Sequence, residues 1–175
     1  MENLSYPIGQ FVYQGKYSAE QRKQLIFQIA ETPTLLREAL SNLSEAQLDT
    51  PYRPEGWTVR QVLHHIPDSH LNAYIRFKLT LTEDTPTIKP YLEEKWANLA
   101  DTFQTPIDVS LALLEATYFR WVMVLKNMKD SDFDRTYFHP ESQKTFTLDE
   151  ALGLYVWHGK HHIAHITSLR KRMGW

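Results

Sequence analysis

The stretch "TLDEALGLYVWHGKHHIAHITSLRKRM", Thr147 to Met173, has the periodicity of one long helix and carries four of the eight histidines in the chain. Thr147 suits the N-cap, with Glu150 as its capping-box partner, and Gly174 suits the C-terminal stop. At 100° per residue His158, His162 and His165 fall within about 60° of one another. Ala151, Leu154, Tyr155 and Leu169 share that apolar face, and His161 lies toward one flank. Imidazoles on an inward face need partners. The plain partner is a core carbonyl or carboxylate. The sharper one is a metal ion, because residues four apart hold their Cβ atoms ~5–6 Å from each other and can aim two rings at one ion. "HGKHH" has Gly159 where a zinc protease helix has glutamate, so the H-E-x-x-H reading fails.

A helix with one apolar face requires others to bury it. Ser18 to about Leu43 offers a capped start in "SAEQ", an apolar stripe through Leu25, Ile26, Ile29, Leu35, Leu36 and Leu40, and a bend or interruption at Pro33. A second helix runs from Thr58 to about Leu81, and a third from about Val109 to Met128. Residues 82–108 form a long connection with several prolines, as a crossover between parallel helices requires. Within it "EEKWANLADTF" suits a short extra helix, and "RTYFHPESQKTFT" suits a small hairpin before the last helix. The expected class is all-α, a four-helix bundle in one domain over residues 1–175.

With no cysteine in 175 residues, metal ligands are limited to His, Asp and Glu. A net charge of −2 offers no field for nucleic acid. "RKR" at 170–172 complements a helix C-terminus. No apolar run approaches the ~18–20 residues of a membrane span, and the first residues lack a leader pattern. The expectation is therefore a cytoplasmic protein with neither membrane nor nucleic-acid partner.

A third ligand would come from "VRQVLHHIPDSHLNAYIRF". His70 lies mid-way in the apolar arc of Val62, Leu63, Ile66, Ala73 and Phe77. His65 lies at its edge, on a polar stripe with Thr58, Gln61, Asp68, Ser69, Asn72 and Arg76. Periodicity favours His70 as the buried one and leaves the ligand open.

Three stretches carry a family resemblance: "NLSYPIG", "QLDTPYRPEGWTVRQVLHHIPDSHLNAYIRFKLTLTEDTP" and "ALGLYVWHGKHHIAHITSLRKRMGW". Through them the chain resembles the DinB/YfiT-like metalloenzyme superfamily, the YfiT subgroup in particular. The resemblance implies an up-down-down-up bundle, a homodimer, and one divalent metal per subunit, with Zn2+ expected first and Ni2+ as the alternative. It places the metal ligands at His65, His158 and His162. Where relatives have a small residue after the histidine pair, this chain reads "HHIPD", with Pro67.

Three neutral imidazoles leave an ion its full charge and an open position, the catalytic arrangement. Such an ion acidifies water, which suits a metal-dependent hydrolase acting on a small-molecule substrate. It can equally hold a thiol as thiolate, and relatives described as thiol transferases make bacillithiol S-transfer the alternative. A non-catalytic metal-binding dimer is the third reading, separated from the others by a fourth protein ligand. Asp68, one turn after His65, is the candidate catalytic base or orienting group, against the plain reading of an exposed acid. Tyr155 and Arg76 are candidates for substrate contact and His165 for support of a ligand. His139 is expected at the surface; Trp57, Trp121 and Trp157 are expected in the core.

Overall fold

Three of the four long helices begin at a polar residue whose side chain satisfies one of the first amides. In this computed structural model, which describes residues 3–175, the Ser18 and Thr58 side chains accept from the amides of Gln21 and Gln61, whose own side chains reach back. These boxes open α1 (Ala19–Leu40) and α3 (Val59–Thr82); a third, at Ser44, opens the short α2 (Glu45–Leu48). Pro33 and Pro67 lie inside α1 and α3 without ending them. The crossover contains two short helices where one was expected, α4 (Glu93–Trp96) and α5 (Ala100–Gln104). Next comes α6 (Ile107–Asn127), entered two residues earlier than expected because Pro106 already has a helix-compatible φ of −58°.

A 3-10 turn (Asp130–Asp134) then leads to β1 (Thr136–His139) and β2 (Lys144–Thr147), an antiparallel hairpin in the register Thr136 to Thr147 and His139 to Lys144. The last helix is α7 (Leu148–Met173), stopped by Gly174 in the left-handed region at φ 72°. Thr147 caps it through the Glu150 amide. The Glu150 carboxylate does not complete the expected box, because Lys144 Nζ takes it at 2.6 Å.

Side-chain pairs fix the topology. Arg22 meets Asp149 and Arg170 meets the Ala39 carbonyl, so α1 and α7 run parallel. His64 meets Ser110 and His70 meets Tyr118, so α3 and α6 run parallel as well. Arg37 meets Glu115 across antiparallel α1 and α6, and Arg76 meets Tyr155 across antiparallel α3 and α7. This is the up-down-down-up four-helix bundle. Its core is filled by Trp121, Tyr118, Phe77, Leu63, Ile66, Leu114 and Leu148. The crossover adds one strand-like contact to the hairpin, the Phe138 amide donating to Pro86 and its carbonyl accepting from Ile88. Hairpin and crossover together therefore cover one side of the α3–α7 seam. None of the described helices is long and apolar enough to cross a membrane.

Asp149, 1% exposed, accepts from Arg22 Nε at 2.6 Å, the Tyr13 hydroxyl at 2.8 Å and the Tyr17 amide at 2.9 Å. It ties the segment before α1, and α1 itself, to the start of α7. Replacing it by alanine strands a buried guanidinium, whose other partner, Asp130, is largely solvated. Urea unfolding of Asp149→Ala is expected to show a loss of about 3–5 kcal/mol; a loss under about 1 kcal/mol would contradict this role.

Candidate metal centre

The antiparallel pairing of α3 and α7 decides which histidines meet. His65 Nε2 stands 3.5 Å from His158 Nε2, and His162 Nε2 stands 3.2 Å from the same atom. One ligand atom from each of His65, His158 and His162 lies within 4.8 Å of the other two. Two nitrogens bound tetrahedrally at 2.0–2.1 Å from one ion sit about 3.3 Å apart, and the separations of 3.2 and 3.5 Å bracket that value. The group has three members among the described residues.

Periodicity correctly buries His70, which is 0% exposed, and its role is adjacent to the cluster. His70 Nε2 lies 2.9 Å from His158 Nδ1, and its Nδ1 meets the Tyr118 hydroxyl in a short contact. When His158 binds through Nε2, its Nδ1–H donates to His70 Nε2. His70 then keeps its own proton on Nδ1, toward Tyr118. This chain fixes tautomer and ring plane together. Gly159 makes room for it: a Cβ there would stand 3.1 Å from Thr32 Cγ2 and 3.7 Å from His70 Cε1. The glycine that excluded a protease helix thus admits α1 and His70 beside the ligand.

His65 is 4% exposed under the Trp57 ring, with centroids 4.8 Å apart. His162 is wedged among the rings of His65, His158 and His161 and finds no partner for its buried Nδ1. Burial pushes His65 down to about 4 and His70 to about 3. Burial, then the neighbouring imidazoles, holds His158 and His162 well below 6.5. All four are neutral at pH 7, with lone pairs available to a cation.

His161, His162 and His165 form a second set within 4.8 Å. The His161 and His165 Nε2 atoms are 2.9 Å apart, closer than two ligands of one ion and normal for a hydrogen bond. Trp157 stacks on His161 and Tyr52 on His165. These two rings are a hydrogen-bonded pair within an aromatic sandwich, and His165 makes no hydrogen bond to His65, His158 or His162.

Two cavities flank the triad. One of about 220 Å³ reaches His158 past Arg76, Tyr91, Tyr137, His139 and Tyr155. The other, about 410 Å³, reaches His162 past Trp57, Glu94, His161 and His165. Glu93 lines both, and burial, with Glu141 nearby, pushes its carboxyl up. Sequence patterning missed Glu93, because only folding of the crossover brings it here. His139 also differs from expectation: on β1 it is half-buried and lines the first cavity. Of the tryptophans, Trp121 is fully buried, whereas Trp57 donates to Glu94 and Trp157 to the Gly9 carbonyl from half-buried positions. Asp68 is half-buried on α3, makes no side-chain hydrogen bond to these histidines, and lines neither cavity.

Burial, then the facing Asp101, pushes the Asp68 carboxyl from 3.8 up to about 6. The native state then binds this proton more tightly than the unfolded chain, so stability falls as pH rises through that window. In metal-free protein, Asp68→Asn is expected to melt above the parent at pH 7, with the gap closing below pH ~4. A gap independent of pH would contradict the shift.

Residues 28–166 match the family model of the DinB superfamily. Two proteins named "Putative metal-dependent hydrolase", from Bacillus mycoides strain KBAB4 and Bacillus cereus strain 03BB102, are each 54% identical over the full length of both chains. A solved structure, described as "YfiT from Bacillus subtilis is a probable metal-dependent hydrolase with an unusual four-helix bundle topology", superposes with a TM-score of 0.97 at 51% identity. That superposition covers 99% of each chain. With a family model covering most of its length and relatives this similar end to end, the chain belongs to the DinB superfamily.

Proposed function

We propose that this protein is a metal-dependent hydrolase in which His65, His158 and His162 hold one divalent cation, zinc before nickel, and a small substrate enters from the flanking cavities. The observation that carries the reading is the convergence of three neutral imidazoles, two of their nitrogen separations at the spacing of tetrahedral ligands and all within 4.8 Å, with no fourth side chain in the group among the described residues. That open side favours catalysis over a purely structural ion. The names of the Bacillus relatives support the same chemistry.

A divalent ion bound there supplies Lewis acidity, polarising a substrate carbonyl and acidifying nearby water. The chain's own residues do the rest. His70 holds the His158 ring through Nδ1, as Tyr118 holds His70. Trp57 shields His65 from solvent, which strengthens electrostatics in the site. Glu93, at the junction of both cavities with a raised carboxyl pKa, is the better-placed proton acceptor. Asp68, one turn after His65 on α3 with its carboxyl near 6, is the second candidate for base or orienting group.

The pair of cavities also favours a second reading, bacillithiol S-transfer, because two substrates could reach the ion by separate cavities, one at His158 and one at His162. Untagged protein is expected to contain about one divalent metal per chain and to hydrolyse members of an aryl-ester panel without added thiol. His158→Ala should lose both metal and turnover. His70→Ala should keep all three ligands yet bind metal about 10–100-fold more weakly. Equal metal content in His158→Ala and the parent would refute the site; adduct formation only with bacillithiol would replace hydrolysis by transfer.

A further inference from the structure

Three arginines are buried, and two are neutralised by carboxylates. Arg22 meets Asp149 and Asp130, and Arg60 meets Asp49 and Glu45. Arg76, 9% exposed on α3, has no ion pair among the described residues. Its one side-chain hydrogen bond runs from Nη1 to the Tyr155 hydroxyl at 2.8 Å. A guanidinium withdrawn from water without an anion is costly and rarely kept without use. None of its nitrogens is among the sealed, unpartnered atoms, whereas Nη2 of Arg22 is. The remaining Arg76 donors therefore open into the 220 Å³ cavity they line, which also reaches His158.

We propose that this cavity is a carboxylate subsite, in which Arg76, steadied by Tyr155, receives the carboxylate of a substrate whose reacting group lies against His158. The guanidinium edge matches two carboxylate oxygens, a geometry that lysine cannot reproduce. Tyr155 and His158 are three residues apart on α7, with ring centroids 6.2 Å apart. The bound anion and the reacting carbonyl are thus separated by only a few bonds. Glu93 and Glu141 stand on the same cavity wall, neither in an ion pair with Arg76. Their charge admits a monoanion and disfavours a dianion such as phosphate. The assignment of the reacting group rests on the hydrolase reading; the anion contact itself does not need the metal.

Arginine Nε–H resonances of the metal-loaded protein should be titrated separately with butyrate and with inorganic phosphate. Butyrate is expected to shift one arginine signal, absent from Arg76→Gln, and to bind that variant about tenfold or more weakly, with Arg76→Lys between the two. His162→Ala, which removes a metal ligand, should bind butyrate as the parent does. Thermal melts report whether the variants fold; should Arg76→Gln fail, the parent shift and the Arg76→Lys affinity decide. Unchanged butyrate affinity in Arg76→Lys and Arg76→Gln, loss of binding in His162→Ala, or tighter binding of phosphate than of butyrate would each overturn the proposal. If the parent holds no metal while butyrate still moves the Arg76 signal, the hydrolase reading fails and the subsite stands.

Discussion

The hydrogen bond between His158 and His70 is the contact on which the arrangement of this bundle turns. It joins α7 to α3 at their crossing, and it settles which nitrogen of His158 faces the other two imidazoles. Without it the ring could flip or take the other tautomer, and the convergence of lone pairs would disperse. Much of the neighbouring sequence serves that contact. Gly159 lets Thr32 and His70 approach α7, Tyr118 on α6 fixes the far side of His70, and Trp121 packs edge-on against its ring. A polar chain threaded through an apolar core is stable only when each link is satisfied.

Polarity is distributed in two ways around this chain. At the start of α7, Arg22 and Asp149 form a buried, charge-paired network that serves architecture. Further along α7, Tyr155 meets Arg76 of α3 at a cavity where no carboxylate forms an ion pair with the guanidinium, and His158 and His162 border open space. Closed pairs near one end and unpaired groups at the seam are what separate scaffold from site. The crossover and hairpin complete that division, since Tyr91, Glu93, Tyr137 and His139 approach the seam only through them.

The bundle was legible because its evidence is local. Ser18, Thr58 and Thr147 announce helix starts, the apolar stripes repeat every three to four residues, and the length of residues 82–108 demands a crossover. The spacing of His158 and His162 also reads directly as a half-site. The choice between His65 and His70 did not follow from periodicity, because both are buried and both face His158, from opposite sides of its ring. Family resemblance pointed to His65, while burial alone pointed to His70. Glu93 and His139 were illegible for a different reason. They stand on a connection and a hairpin whose positions depend on long-range packing, and no periodic pattern describes those segments. For Asp68, the place one turn after His65 reads directly from the sequence, whereas Asp101 of α5, whose charge helps raise its carboxyl, comes near only through folding of the crossover.

X-ray absorption at the edge of the bound metal, recorded for the parent and for His65→Ala, addresses the central claim most directly. The parent spectrum should fit three imidazole nitrogens at about 2.0–2.1 Å plus an exchangeable oxygen, and the variant should lose one imidazole shell. A shell closed by a fourth protein ligand, or a spectrum unchanged by removing His65, would contradict the account.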